Sequence, residues 1–147
     1  MSTLDAVTVM MWVKWNGNNS TMPVGFDAYD IYMYNGVLGF NTGQGDCSGI
    51  DFKSYKHKWV YAAMVFKQNE LGEIYMNGIN TPIDNVRGTF SSANAHLTDK
   101  LTIFGWGISS GYRHFGEIDR LRLFNRELTP DEIKTIYDAE TNYIGGV

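Results

Sequence analysis

Phe115-Gly116-Glu117-Ile118-Asp119-Arg120-Leu121-Arg122-Leu123-Phe124-Asn125-Arg126-Glu127-Leu128-Thr129-Pro130-Asp131-Glu132-Ile133 is the stretch whose reading decides the fold. Glycine opens it. Leu121 and Leu123 then alternate with charged residues, the period of a half-buried strand. Thr129 and Glu132 stand at capping-box spacing, with Pro130 at the first helical position, where its missing N–H costs nothing. Ile133, Ile136 and Tyr137 share one helical stripe. One strand runs into one short capped helix, near the end of a chain that otherwise reads as all β.

Working outward, Val7-Thr8-Val9-Met10-Met11-Trp12-Val13-Lys14-Trp15 is a strand with apolar side chains on both faces, so both faces are covered. Lys58-Trp59-Val60-Tyr61-Ala62-Ala63-Met64-Val65-Phe66 is another. Trp12 and Trp59 therefore belong to a core. Asp30-Ile31-Tyr32-Met33-Tyr34 and Val37-Leu38-Gly39-Phe40 flank Asn35-Gly36, a strong two-residue hairpin signal, and Asn77-Gly78 follows Glu73-Ile74-Tyr75-Met76 in the same way. Residues 41–51 read as a glycine-rich loop and 67–72 as a turn. Residues 82–95 read as a polar crossover or edge segment. Leu101-Thr102-Ile103-Phe104-Gly105-Trp106 reads as a strand, 107–112 as a loop, and the chain ends in a polar tail to Val147. About eight to ten short strands with regular turn signals mean a sandwich or jelly roll. Residues 1–147 carry no linker, repeat or low-complexity tract and are expected to form a single domain.

The bulk numbers agree. The 147 residues are 44% apolar and 14% aromatic, with 16 glycines and 3 prolines, a balance that suits a β-sandwich and not a disordered segment. The net charge of −4 and scattered basic residues argue against a nucleic-acid partner. Lys53, Lys56 and Lys58 read as a solvated loop. Cys47 is the one cysteine, so no disulfide framework is expected, and its neighbour Asp46 raises the thiol pKa and disfavours a reactive nucleophile. Met1-Ser2-Thr3-Leu4-Asp5 lacks the features of a signal peptide. No apolar run suits membrane insertion.

Three segments in register resemble the laminin-G-like, concanavalin A-like jelly rolls. They are Val9-Met10-Met11-Trp12-Val13-Lys14, the pair His57-Lys58-Trp59-Val60-Tyr61-Ala62-Ala63 and Ile74-Tyr75-Met76-Asn77-Gly78, and the closing stretch quoted first. Gly25-Phe26-Asp27-Ala28-Tyr29-Asp30 and Leu38-Gly39-Phe40-Asn41-Thr42-Gly43-Gln44-Gly45-Asp46 resemble a subgroup of bacterial and phage proteins that act on, or attach to, polysaccharides. The resemblance implies an all-β, two-sheet antiparallel jelly-roll sandwich with one short C-terminal helix. It also implies a carbohydrate-binding, lectin-like module for a polysaccharide or cell-surface glycan, located outside the cell or on a virion surface.

Sugar binding needs a flat aromatic face for the pyranose ring and fixed amides and carboxylates for its hydroxyls. Asn41, Thr42, Gln44 and Asp46 supply the second on a loop loosened by glycines. Tyr32, Tyr34, Trp15, Trp106 and Tyr112 are candidates for the first. Asp30, Tyr32 and Tyr34 share one strand face, opposite Ile31 and Met33. The expected ligand set is thus Asp30, Tyr32, Tyr34, Asn41, Gln44, Asp46, Trp106 and Tyr112.

Some jelly-roll glucanases carry Glu-x-Asp-x-x-Glu on one strand. Here Glu117 and Asp119 are followed by Arg122, so the second glutamate is missing and catalysis is not expected. The family resemblance implies a structural calcium ion, to which Asp119 and Asp5 are assigned, with Asp27 and Asp46 as further oxygen donors. His57, His96 and His114 lack metal-ligand spacing. The rivals to glycan binding are a structural or host-attachment domain of a virion or appendage working through protein contacts, and a disfavoured glycoside hydrolase. A homo-oligomer or larger assembly would add avidity.

Overall fold

The computed structural model describes residues 4–107 and 109–143. The readings placed on Met1-Ser2-Thr3, on Ile108 and on the tail at 144–147 lie outside the described residues.

The described strands are β1 (Ala6–Trp15), β2 (Val24–Gly25), β3 (Asp30–Tyr34), β4 (Val37–Asn41), β5 (Cys47–Asp51), β6 (Trp59–Lys67), β7 (Glu70–Met76), β8 (Ile79–Thr81), β9 (Asn85–Arg87), β10 (Thr102–Ile103) and β11 (Gly116–Phe124). The helix α1 (Pro130–Tyr143) follows. One sheet runs β11-β1-β6-β7-β8 and the other β10-β2-β3-β4-β5-β9. Every pairing is antiparallel. The architecture is the two-layer jelly-roll sandwich that the strand pattern implies.

Period-2 alternation sorts side chains between the two faces of each sheet. On β1, Val7, Val9, Met11 and Val13 enter the main core between the sheets, while Met10 and Trp12 enter a second cluster on the outer side. β6 does the same, with Met64 and Phe66 inside and Tyr61, Ala63 and Val65 outside. From the second sheet, Ile31, Met33, Leu38, Phe40 and Ile50 complete the main core. Phe66 is its pivot, with Phe26, Tyr29 and Phe40 meeting it edge-on at 5.2, 5.1 and 5.3 Å between ring centroids. The Tyr29 hydroxyl donates to the Glu70 carbonyl at 2.5 Å and ties the two layers together.

The second cluster is sealed by α1, whose Ile133, Ile136 and Tyr137 pack with Leu128 against Met10, Trp12 and Tyr61. The capping box holds both ways. Glu132 N–H donates to Thr129 Oγ1 at 3.2 Å, and Thr129 N–H donates to Glu132 Oε1 at 3.0 Å. Arg126 pairs with Glu132 as well. The Arg126 hydrogen bond above all, and then the Thr129 N–H, hold the Glu132 carboxyl down at about 2. The helix runs on to Tyr143, well into what reads as a tail in the sequence.

Four readings are corrected. Residues 41–51 are not one loop: the loop is 42–46, and Cys47–Asp51 is a strand paired with β4 and β9. The turn at 67–72 shrinks to Gln68-Asn69, because β7 already starts at Glu70. The strand at 101–106 is only Thr102–Ile103. Finally, Leu121 and Leu123 are 39% and 53% exposed. β11 is an edge strand, and a bulge at Arg120 (φ 53°) breaks its register opposite Met11.

Candidate functional site

Among the described residues no α-helix covers the outer face of the second sheet. Asn35 and Gly36 take φ of 50° and 78°, the turn that closes a tight hairpin. That hairpin fixes the register Tyr32↔Gly39 and Tyr34↔Val37, which sets both tyrosines on the outer face. The next ladder pairs Gly39 with Gly49. A Cβ on Gly39 would lie 2.5 Å from the Ser48 backbone, so β4 and β5 approach each other in a way only glycine permits.

On this face Met22, Tyr32 and Cys47 form a third cluster, with Tyr34, Val37, Trp106 and Tyr112 packed against it. The rings run in sequence. Trp106 meets Tyr112 at 5.9 Å, Tyr112 meets Tyr32 at 6.1 Å, and Tyr32 meets Tyr34 at 5.6 Å. The Arg87 guanidinium ends the row, 3.7 Å from the Tyr34 ring centroid. Tyr32 is buried and its hydroxyl shares a 2.7 Å hydrogen bond with Ser20 Oγ, while Tyr34, Trp106 and Tyr112 keep part of their surface in solvent. Trp106 Nε1 donates to the Asp27 carbonyl, fixing the indole. A cleft of about 180 Å³ opens beside the row, lined by Tyr34, Asn35, Val37, Cys47, Asn85, Val86 and Arg87.

The structure thus brings Tyr32, Tyr34, Trp106 and Tyr112 together, and it separates them from the expected polar rim. Asp46 is 1% exposed. Its carboxylate accepts from Thr42 N–H at 2.9 and 3.1 Å and from Thr42 Oγ1 at 2.8 Å. Asn41 is buried too; its Nδ2 donates to the Asp46 carbonyl at 2.8 Å and its Oδ1 accepts from Gly43 N–H at 3.0 Å. Thr42 is held in turn by Ser91 and Asn94 of the crossover. Asn41 and Asp46 therefore shape the loop and have little left to offer a sugar hydroxyl. Gln44 alone of that set is exposed. Trp15 is buried and packs edge-on against Phe52, with Nε1 bonded to the Asn18 carbonyl at 2.9 Å.

Asp30 is on the same sheet face but 1% exposed, and neither carboxyl oxygen has a hydrogen-bond partner. Burial, and secondarily the charge of Asp27, push its pKa up to about 8. It is a neutral acid near pH 7, sealed from a ligand. The Cys47 thiol is pushed up to about 12 by burial and then by Asp46, so it is an inert lining group.

The structure does not bring together Asp5 and Asp119, the pair assigned to calcium. Trp12 pairs with Asp119, and Asp5 precedes Trp12 by seven residues, so strand rise alone puts the two carboxylates roughly 23 Å apart. Asp119 instead accepts from the Arg120 N–H at 2.9 Å. Among the described residues no three His, Cys, Asp or Glu side chains form a metal-holding group. Glu117 and Asp119 pair with Lys14 and Trp12, so they share the helix-side face of the first sheet. The whole sandwich lies between them and the aromatic row.

Sequence reasoning missed Arg87, Asn85 and Asn35. The first two sit on β9 inside the segment read as a crossover or edge. It is both, carrying the chain from β8 to the edge of the second sheet. A three-residue strand is too short for periodicity to register.

The comparisons agree with this architecture. The receptor binding domain of botulinum neurotoxin mosaic serotype C/D superposes with a TM-score of 0.62 at 15% identity, over 93% of this chain and 37% of that one. The binding domain of Paraclostridial Mosquitocidal Protein 1 gives 0.61 at 15% identity, over 94% and 38%. Trypanosoma rangeli sialidase gives 0.62 at 16% identity, over 92% and 23%. The chain thus spans well under half the length of these structures, and at such identity the likeness is one of fold. No curated protein sequence matches it significantly. No helix among the described residues is long and apolar enough to cross a membrane. The sequence profile that matches residues 1–134 describes the concanavalin A-like lectin/glucanases superfamily, and this chain belongs to that family.

Proposed function

We propose that this protein is a non-catalytic binding module for a polysaccharide or cell-surface glycan, acting outside the cell or at a surface. The observation that carries the reading is the unroofed row Trp106–Tyr112–Tyr32–Tyr34 on the outer face of the second sheet. Its partly exposed members, Tyr34, Trp106 and Tyr112, offer apolar surface to sugar units, with buried Tyr32 bracing them. The asparagines beside them supply hydroxyl partners. Similar structures include receptor binding domains, and for one of these neighbours, botulinum neurotoxin type C, cell entry depends on interaction with two ganglioside molecules. The carboxylates Glu117 and Asp119 are on the other side of the sandwich, and Arg122 stands where a second glutamate would act. That placement supports binding without cleavage.

The test is a glycan array followed by titration calorimetry with the intact chain. Tyr34→Ala and Tyr112→Ala are expected to weaken the best array ligand at least tenfold, about 1.4 kcal/mol, with unchanged circular dichroism. Binding that survives both substitutions removes the row from the site. An array with no bound glycan, plant, microbial or host, sinks the reading itself.

A further inference from the structure

Arg87 and Tyr34 come from strands that are not neighbours. The order is β3-β4-β5-β9, so the pair reaches across two intervening strands. At about 4.8 Å per strand the two strands are roughly 14 Å apart, and the pair is also offset along them, Arg87 standing opposite Cys47 and Tyr34 opposite Val37. Between them lie Gly39 and Gly49, whose missing side chains leave the path clear, with Val37 and Cys47 at the cleft wall.

A guanidinium lying against a ring uses its face for the ring and keeps its N–H groups in its own plane. Those groups have no carboxylate within salt-bridge distance among the described residues. The acids close to Arg87 in chain or register each accept a hydrogen bond elsewhere; Asp46, beside Arg87's ladder partner Cys47, accepts from Thr42. Asp84 Oδ1 accepts from Asn85 Nδ2 at 2.8 Å, and Asp51 Oδ1 accepts from Lys53 N–H at 3.0 Å. Arg87 is the one charged residue lining the cleft. In a chain of net charge −4, a cation stands at the end of an aromatic row, in a cleft that no acid lines.

We infer that this cleft takes the anionic substituent of an acidic glycan, a sugar carboxylate or a sulfate ester, with Arg87 as its bidentate partner. The inference rests on the glycan-binding reading and narrows it. Tyr34 holds the guanidinium in plane, so little freedom is lost when the anion docks. The cleft is smaller than drug-sized pockets, which suits one substituent and not a whole oligosaccharide. The remaining rings, Tyr112 and Trp106, carry the neighbouring sugar units.

The experiment compares three immobilised polymers on the full chain: polygalacturonate, its carboxyl-reduced neutral counterpart, and a sulfated galactan. Polygalacturonate, the sulfated galactan or both are expected to bind at least tenfold more tightly than the neutral polymer, and which of them does so identifies the anion. Arg87→Gln should abolish that preference, Arg87→Lys should restore part of it, and raising NaCl from about 50 to 500 mM should weaken wild-type binding severalfold. Thermal unfolding of Arg87→Gln is the fold control. Binding of the neutral polymer as tight as that of the acidic ones, or an acid preference that survives Arg87→Gln, overturns the inference and leaves the broader reading standing. If neither these polymers nor any array glycan binds, both fall together.

Discussion

The two sheets carry similar outer faces and meet different fates. On the first, Met10, Trp12, Tyr61, Val65 and Tyr75 make an apolar aromatic patch; on the second, Met22, Tyr32, Tyr34, Trp106 and Tyr112 make another. The first is closed by α1 and becomes core. The second has only its own loops for cover, and three of its rings stay partly wet. Aromatic content in a strand therefore does not say whether a face is interior or available. What decides is whether an amphipathic segment elsewhere in the chain is committed to covering it.

The buried acids repeat the contrast. Glu140 on α1 is 2% exposed, and Arg122 meets it at 2.7 Å through both Nε and Nη2, with Arg120 at 3.7 Å. Asp30 on the open sheet is as buried and has no partner. One face holds its charge by pairing, and the other holds its acid by keeping it neutral.

The largest expected effect breaks the seal. Ile133→Ala empties a fully buried site under the helix and should cost about 3 kcal/mol in urea unfolding. Tyr34→Ala, on the open face, should cost less than about 1 kcal/mol. Equal costs would mean the two faces are not different in kind.

Next comes the lone acid. Its folded pKa of about 8 lies above the unfolded value of 3.8. Between those values the native state holds the extra proton, so stability falls as pH rises. The contribution is fully present below about 4 and gone above about 8, with a slope near 1.4 kcal/mol per pH unit between. Denaturation midpoints measured from pH 5.5 to 7 should show this decline, about 2 kcal/mol in all, and Asp30→Asn should flatten it. A wild-type profile rising over that range would contradict the neutral acid.

The smallest effect tests the lid's own anchor. Thr129→Ala removes the side-chain half of the capping box and should cost about 1 kcal/mol, with glycan binding unchanged. Loss of binding in that variant would show that the sealed face and the open one are coupled.

Much of this was legible in the chain. β1 and β6 announce themselves by apolar residues on both faces, the hairpins by Asn35-Gly36 and Asn77-Gly78, and the helix by Thr129, Pro130 and Glu132. The shared face of Tyr32 and Tyr34 was legible too, by simple alternation. The polar half of the site was not. Asn41 and Asp46 read as a rim because side-chain amides and carboxylates on a glycine loop look available. Only the fold reveals that Asp46 turns back to collect the Thr42 donors. β5 was hidden since Cys47-Ser48-Gly49-Ile50-Asp51 is poor in strand formers, its glycine being required by the approach to Gly39. Arg87 acts across two strands, a relation no local window contains.

The seam between β1 and β11 fixes when the molecule can finish assembling. β1 needs a neighbour that is more than a hundred residues downstream: Thr8 Oγ1 alone accepts from Leu128 N–H across 120 positions. The β3-β4-β5 meander closes through short connections and is free to form on its own. Each sheet thus has a locally paired meander, β3-β4-β5 in one and β6-β7-β8 in the other, while the β2–β10 and β1–β11 pairings wait for later chain. A ribosome would release a half-made recognition surface first and its foundation afterwards.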